Sequence, residues 1–316
     1  MLLKLSTASN RLALNCIIRR LHIEPKLYVP EATKPSANQI RLLQNFINTN
    51  SKILVLTGAG LSTECGIPDY RSEKVGLYAR KNYKPMQYQD FIRSSNLRKR
   101  YWARSYAGWP RYSQTKPSQN HYILANWEQT GFVHWVITQN VDHLHSKAGS
   151  QKLTELHGSL YETRCLSCNS VITRNEYQRR IASLNPTWNV RDFEIATDGD
   201  VFLTDEQIKG FQVPPCSNCR DGVMMPKIIF FGDNVEKATV EFLRKKVDEC
   251  DSLLVLGSSL QVSKVFSGYR FVLAAAELKK PIAIVNIGET RGDKHATLKL
   301  NVKCGDILPV MDFTNS

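Results

Sequence analysis

The chain of 316 residues contains no run of 18 or more apolar residues, so no membrane-spanning helix is expected. Cysteine is scarce, with eight residues in the whole chain, and a disulfide framework is not expected at this length. Internal repeats and low-complexity tracts are also lacking. What remains is the composition of an ordinary soluble globular protein, with 42% hydrophobic and 22% charged residues.

Acidic residues are nearly absent from the N-terminal segment. Within residues 1–28, Glu24 is the only acid against five lysine and arginine residues, and apolar residues recur between them at roughly helical spacing. Arg11 interrupts the apolar core that a secretory signal needs. We therefore predict a mitochondrial transit peptide over residues 1–28, a folded part over 29–316 and a location in the mitochondrial matrix. The alternative is a disordered or fold-capping N-terminal arm.

The net charge of +13 is still +9 without the predicted leader, which carries five basic residues and one acidic residue. A basic surface can attract nucleic acid or an acidic membrane. No basic run interleaved with aromatic residues is present, however, and matrix proteins tend to be basic. We expect no nucleic-acid partner.

Short apolar runs alternate with amphipathic stretches along most of the chain. This alternation predicts an α/β fold, with a Rossmann-like parallel sheet covered by helices on both faces. The predicted strands are Ile53–Leu56, Val133–Thr138, Leu253–Leu256 and Ile282–Val285, and the predicted helices span about 36–49, 118–130, 236–249 and 267–279.

Two segments break the alternation. Residues 71–117 are rich in Arg, Lys, Tyr and Trp and predict a helical module, made of a loop followed by short helices. Residues 161–230 contain four paired cysteines and predict an inserted module. The Rossmann-like lobe is then formed by about 36–70, 118–160 and 231–310.

The loop after the first predicted strand lacks part of the usual dinucleotide fingerprint. Gly58, Ala59 and Gly60 would let the backbone approach a pyrophosphate at the start of the next helix. The third glycine of the fingerprint is replaced by Thr63, and no acid follows at the expected strand end. The loop is therefore not the motif of an ordinary hydride-transfer enzyme. The alternative to a pyrophosphate-binding loop is a plain tight turn.

The other three strand ends also carry polar or small residues. Ligands of open α/β sheets bind outside the carboxyl ends of the strands, so these ends are expected to converge. Asn140 and Asp142 can together bind a carboxamide, because one offers a donor and the other an acceptor. Each loop alone could be a cap or a turn, but all four together favour a ligand site. The loops at these other three strand ends are Gln139-Asn140-Val141-Asp142, Gly257-Ser258-Ser259 and Asn286-Ile287-Gly288.

His157 lies between the second strand end and the inserted module. A single histidine is usually a structural residue, but this one lies near the predicted crevice and suits general-base catalysis.

Two C-x-x-C pairs lie in the inserted module, with 47 residues between them. Four thiolates in two close pairs bind zinc tetrahedrally without an open position, which predicts a structural zinc site. A redox motif is the alternative, although it would need only one pair at a helix start. The predicted ligands are Cys165, Cys168, Cys216 and Cys219.

These segments together closely resemble the sirtuins over about residues 36–310. Residues 58–71 (GAGLSTECGIPDYR) and 138–149 (TQNVDHLHSKAG) resemble two signatures of that family, and the remaining motifs follow in family order. Other segments resemble the mitochondrial class II branch of the family. They are Ser72–Tyr78, Tyr101–Arg104, Gly108–Pro110, Leu184–Trp188 and Asp198–Leu203.

The resemblance implies an NAD-dependent deacylase that acts on acylated lysine side chains of mitochondrial proteins and releases nicotinamide and O-acyl-ADP-ribose. It implies His157 as base, Asn140 as a second catalytic residue and one structural zinc. The sequence does not give the oligomeric state, and a monomer is expected. The resemblance also suggests lipoyl, biotinyl and branched glutaryl-type acyl groups, with weak acetyl removal. The cofactor contacts that it implies beyond the strand-end loops are Ser62, Thr63, Ile67, Pro68, Asp69, Tyr70, Arg71, Tyr78 and Cys304.

Two other functions stay open, namely mono-ADP-ribosyl transfer to proteins and a non-catalytic NAD- or zinc-binding module. The sequence also departs from the family pattern beside the expected peptide groove. Ser263–Val265 looks like an insertion, and Met225 and Lys227 flank Pro226 where other side chains are expected. The resemblance places the peptide between Phe231–Asp233 and the segment after Gly257, in a β-strand mode.

Overall fold

The protein builds one six-stranded parallel sheet and one three-stranded antiparallel sheet. The structure, a computed structural model, describes residues 28–80, 84–190, 201–261 and 268–312. The departure at Ser263–Val265 and nearly all of the predicted leader lie outside these ranges. Among the described residues, no helix has both the length and the apolarity needed to cross a bilayer.

The large sheet confirms the predicted Rossmann-like architecture, with strand order β3-β2-β1-β7-β8-β9. All four predicted strands are present, and two three-residue strands, β3 and β9, extend the edges. The strands are β1 Ile53–Thr57, β2 Val133–Thr138, β3 Leu153–Glu155, β4 Gly158–Cys165, β5 Val171–Thr173, β6 Met224–Ile228, β7 Ser252–Leu256, β8 Ile282–Val285 and β9 Leu298–Leu300.

Helices cover both faces of the large sheet. The α-helices are α1 Ala37–Asn48, α2 Leu77–Arg80, α3 Tyr88–Arg93, α4 Ser95–Ser113, α5 Gln119–Gln129, α6 Leu144–Lys147, α7 Arg174–Leu184, α8 Asp205–Ile208, α9 Lys237–Glu249, α10 Tyr269–Glu277 and α11 Cys304–Ile307. Helix α1 begins where a capping box forms, because Gln39 N donates to Ser36 Oγ and Ser36 N donates to Gln39 Oε1.

Strand β1 shows why the sequences of the central strands are continuous apolar runs. Its side chains alternate between two cores, with Ile53 and Val55 packed under α1 and α5, and Leu54 and Leu56 packed under α9 and α10. Because both faces are buried, no polar residue is tolerated before the strand end. The polar residue of β1, Thr57, therefore lies at the carboxyl end of the strand.

The helical module and the small sheet share one core. Trp102 of α4 is fully buried, and its Nε1 donates to the backbone oxygen of Met224 in β6 at 3.0 Å. Arg174 of α7 is also buried, with its guanidinium 4.8 Å from the Trp109 ring centroid. Burial lowers the pKa of Arg174 to about 10. These contacts make the two modules one packed body beside the sheet.

Helix α4 is 19 residues long, so the prediction of short helices alone was wrong in this region. Its composition is rich in Arg and Tyr, and its buried face is made of aromatic residues rather than aliphatic ones. The 3.6-residue apolar pattern is therefore weak, although tertiary packing stabilises the helix.

Gly158 begins β4 directly after His157 and allows a close backbone approach. Its φ is +77°, and a Cβ there would collide with Lys227 O and lie 3.0 Å from Ile228 Cα. We predict that Gly158→Ala lowers the free energy of unfolding by about 3 kcal/mol, from positive-φ strain and overpacking together. Thermal unfolding should show a midpoint roughly 6 °C lower or more.

Gly131→Ala is the matched control for this prediction. Gly131 has a φ of +90° but open space around the position of its Cβ, so only the strain of about 1 kcal/mol applies. Equal losses in the two variants would contradict the role assigned to the close approach.

Candidate active site

A cavity of about 1000 Å³ opens at the carboxyl ends of the parallel strands. Its position agrees with the expectation for open α/β sheets. All four predicted strand-end loops line it, together with His157 and part of the segment after the first loop. The predicted residues in its wall are Gly58 to Gly60, Ser62, Ile67, Asp69 to Arg71, Gln139 to Asp142, His157, Gly257 to Ser259 and Asn286 to Gly288.

Four predicted residues lie beside this cavity rather than in its wall. Thr63 and Cys304 line an adjoining space of about 40 Å³, which also touches Gly60 and Asn286. Pro68 is buried next to the main wall. Tyr78 is 40% exposed, and its ring lies 5.7 Å from that of Tyr70 and 5.6 Å from the guanidinium of Arg71, two residues of the cavity wall.

The loops after β1 and β7 contact each other through their backbones. Gly60 N donates to Gly257 O at 2.9 Å. A Cβ on Gly58 would lie 2.7 Å from Ser258 Cβ, and one on Gly257, whose φ is +58°, would lie 2.5 Å from Leu61 N. The contact between the two loops therefore requires these glycines by itself. The close approach of a ligand is a second reason for them.

The segment after Gly58 is less regular than predicted. Two short 3-10 turns, Ala59–Leu61 and Thr63–Cys65, stand where the sequence analysis placed the start of a helix. They are separated by Ser62, whose side chain is drawn into the site by Asp142. The backbone N–H groups of this segment are thus presented by two tight turns and not by the N-terminus of a helix, as was expected.

Asn140, Asp142 and Ser62 form a buried triangle at the end of β2. Asn140 Nδ2 donates to Gly58 O and Ser62 Oγ, both at 3.1 Å, and Ser62 Oγ donates to Asp142 Oδ2 at 2.6 Å. Burial raises the pKa of Asp142, while the Ser62 hydrogen bond opposes that rise. Since both N–H groups of Asn140 are used, its carbonyl oxygen is the atom that it can offer to a ligand.

His157 is held in one tautomer by the backbone. Its Nδ1 lies 2.9 Å from Gln139 O, and because a carbonyl oxygen can only accept, Nδ1 carries the proton. The lone pair of the neutral ring is then on Nε2, the form that a general base requires. The backbone of His157 is also fixed, since Ile229 N donates to its oxygen at 2.8 Å.

Asp69 organises the segment that follows the first loop. Its Oδ1 accepts from Arg71 N at 3.0 Å and Ser72 N at 2.7 Å, and its Oδ2 accepts from the Ser72 hydroxyl. Leu77 N donates to the backbone oxygen of Asp69 at 2.9 Å. These hydrogen bonds to the Asp69 carboxylate therefore fix the conformation of the loop that forms this wall of the cavity.

A buried polar network behind the strand ends was missed by the sequence analysis. Thr57 Oγ1 donates to Thr138 Oγ1 at 2.8 Å and lies 3.0 Å from His145 Nε2, and the His145 and His121 rings are 4.8 Å apart. Burial lowers the pKa of His145 to about 4 and that of His121 well below its usual value. The sequence feature that could have indicated this network is a pair of polar residues, Thr57 and Thr138, that end adjacent strands.

The four predicted zinc ligands converge in the small module. Their sulfur atoms all lie within 4.8 Å of one another, and the Cys165–Cys219 and Cys168–Cys216 sulfur pairs are 3.6 and 3.7 Å apart. A tetrahedral zinc–thiolate site has sulfur atoms about 3.8 Å apart. A Cβ on Gly222 would lie 2.6 Å from Cys219 Sγ, so the backbone also leaves the space that the cluster needs. These residues fit one structural zinc.

Residues 58–264 match the model of the Sir2 family. A Bos taurus protein named NAD-dependent protein lipoamidase sirtuin-4, mitochondrial, is 53% identical over 286 residues, which cover 90% of each chain. The chain belongs to the Sir2 family. The Homo sapiens protein of the same name is 52% identical with the same coverage, and the Drosophila melanogaster NAD-dependent protein deacylase Sirt4 is 50% identical over 92% of each chain.

Solved sirtuin structures share the fold of this family member. A Sir2 structure with a p53 peptide and NAD+ superposes with a TM-score of 0.67 at 28% identity, over 85% of this chain and 95% of that one. A Sir2 structure bound to a propionylated peptide gives a TM-score of 0.65 at 27% identity, with the same coverage.

The zinc cluster of this sirtuin leads to a test of metal content. We predict that Cys219→Ala loses zinc and unfolds the small module, because three thiolates cannot complete the tetrahedral site. Cys250→Ala is the control, since that thiol is buried outside the cluster and donates to Val247 O. Elemental analysis and circular dichroism measure both effects. A folded Cys219→Ala protein with a full zinc content would contradict the assignment.

The two buried histidines make stability sensitive to acid. Their pKa values are depressed in the folded state, so the unfolded chain binds more protons as the pH falls below about 6.5. We predict that the free energy of unfolding is retained above that pH. As the pH falls from 7.5 to 5.5, each histidine lowers this free energy by about 1 kcal/mol. In urea titrations, His145→Gln should lose less stability over this range than the wild type. Parallel curves would contradict the prediction.

Proposed function

We propose that this chain is an NAD-dependent protein-lysine deacylase. Acyl-lysine, NAD and water would give lysine, nicotinamide and an O-acyl-ADP-ribose. The assignment agrees with the printed names of the relatives from Bos taurus, Homo sapiens and Drosophila melanogaster. Because two of these names specify a lipoamidase, we further propose the lipoyl group as one of the acyl groups that are removed.

The observation that carries this proposal is the state of His157. A site that only binds a dinucleotide needs no base, whereas here a histidine lines the cavity with Nδ1–H fixed on Gln139 O. The Nε2 lone pair can accept a proton from a ribose hydroxyl. NAD supplies the electrophilic ribose carbon when bound, since nicotinamide is its leaving group.

The predicted cofactor contacts fall into four groups in this proposal. The pyrophosphate would bind at Gly58 to Gly60, where the turns present backbone N–H groups. The nicotinamide would bind beside Asn140 and Asp142, with Ala59 and Ile67. The adenosine would bind against Gly257 to Ser259, Asn286 to Gly288 and Cys304, and the loop containing Thr63, Pro68, Tyr70, Arg71 and Tyr78 would cover the nicotinamide side.

The wall near the small sheet supports an extended or branched acyl group. Met86, Ile228 and Phe230 line the cavity there and present apolar surface. Phe231 O already accepts from Tyr88 N at 2.8 Å, so this edge is partly paired before any peptide binds. A long hydrocarbon chain gains more from such a wall than an acetyl group does, because burial scales with apolar area.

The substrates that we propose are acylated proteins of the mitochondrial matrix. The mitochondrial part of this proposal is supported by the names of the relatives and by the composition of residues 1–28.

The test is a mass-spectrometric assay of the chain from Tyr28 onward with NAD and a panel of lysine peptides. The panel carries lipoyl, biotinyl, branched glutaryl-type and acetyl groups. We predict that nicotinamide and O-acyl-ADP-ribose form in equal amounts, and that His157→Ala lowers turnover by roughly 100-fold or more. His134→Ala is the control, because His134 pairs with Glu249 at the opposite end of β2.

Each alternative gives a different product pattern in the same assay. Protein-bound ADP-ribose without free O-acyl-ADP-ribose would make the chain mainly an ADP-ribosyltransferase. NAD binding without any nicotinamide release would make it a non-catalytic module. Undiminished deacylation by His157→Ala would remove that residue as the base.

A further inference from the structure

His121 and His145 form an imidazole pair that no step of the proposed reaction uses. Their exposed fractions are 0% and 1%, and their ring centroids are 4.8 Å apart with the planes inclined by 62°. One comes from α5 and the other from α6. Fully buried histidines are costly to charge, so this pair is neutral at physiological pH.

The hydrogen bonds assign the proton on each ring. With the Thr57 hydroxyl donating to Thr138 Oγ1, we assign the hydrogen bond to His145 as one that Thr57 Oγ1 accepts, so that His145 Nε2 carries the proton. His121 Nδ1 accepts from Ser118 N at 3.2 Å, so its proton is on Nε2. Among the described residues, His121 Nε2 and His145 Nδ1 have no hydrogen-bond partner, so the two adjacent rings present one donor and one acceptor that do not bond to each other.

The same chain of hydrogen bonds continues into the active site. Thr138 Oγ1, which accepts from Thr57, also accepts from the backbone N of Asn140 at 3.1 Å. Thr57 and Thr138 are direct neighbours at the ends of β1 and β2. The side chain of Asn140 is in turn anchored on Gly58 O and Ser62 Oγ. A donor on His145 therefore fixes the hydroxyl that holds the backbone of Asn140.

Packing leaves His145 little freedom to act in another way. Lys147, on the same short helix, is turned away from it, because its Nζ donates to Ser113 O and Thr115 O. Asp142 is engaged by Ser62 and by Leu144 N at 3.0 Å. The one polar side chain that His145 contacts toward the site, among the described residues, is Thr57.

We propose that His145 is a positioning residue for the reaction, acting through the Thr57 and Thr138 hydroxyls on Asn140, and that His121 supports it as the second neutral ring. The proposal rests on the proposed deacylase function. It assigns a role to a side chain that lines neither cavity.

The test combines a conservative variant with a double-mutant cycle in the full chain. His145→Ala should lower kcat for deacylation about tenfold, because Thr57 loses a buried donor. The KM for NAD should change by no more than about twofold, since the pyrophosphate and adenosine contacts are untouched. His145→Gln should recover most of the loss, because its amide N–H can replace Nε2–H. His134→Ala, on the same strand as Thr138 but at its other end, should match the wild type.

Thr138→Val removes the hydroxyl that relays the constraint, with little change in side-chain volume. In that background His145→Ala should have almost no further effect on kcat, because both substitutions break one chain of hydrogen bonds. Losses that multiply in the double variant would overturn the proposal. So would a His145→Gln variant as slow as His145→Ala.

A measurement on the wild type keeps the proposal testable if a variant does not fold. Nitrogen-15 NMR of labelled histidine should find His145 neutral at pH 7 with its proton on Nε2. A proton on Nδ1, or on both nitrogens, would overturn the proposal without any activity assay. A wild type that shows this tautomer but no deacylation would instead contradict the proposed function.

Discussion

The backbone contact between the loops after β1 and β7 is the constraint on which the site depends. Gly60 N donates to Gly257 O at 2.9 Å, and neither loop has room for a Cβ at this point. Because β1 and β7 are adjacent parallel strands, the contact closes the floor of the cavity at the middle of the sheet. Asn140, anchored on Gly58, extends this floor to the next strand.

A second polar layer supports this floor from inside the protein. Thr57 and Thr138 end neighbouring strands, and their hydroxyl groups hydrogen-bond to each other below the level of the cavity. The large majority of buried polar side chains are hydrogen-bonded, and each of these two hydroxyl groups has a partner in the other. The two threonines thus join the aliphatic core of the sheet to the polar side chains that line the cavity.

Much of this arrangement could be predicted from the sequence because its signals are local. Strand ends, glycines and C-x-x-C pairs are each contained in a few neighbouring residues, and the parallel fold brings the strand ends together. Strands β3 and β9 were missed because three residues carry no periodic pattern. The His145 network could not be predicted, since its partners are up to 88 residues apart and ordinary in type. Helix α4 was underestimated because its burial depends on distant elements.

The hydrogen bond from Ile229 N to His157 O joins the chemical centre to the return strand of the zinc module. His157 immediately precedes β4, and Ile229 immediately follows β6, so two of the three strands of the small sheet, β4 at its start and β6 at its end, lie next to the base. The antiparallel pairing of β4 with β6, which includes Gly158 opposite Ile228, therefore also fixes the backbone on which the imidazole of His157 is mounted.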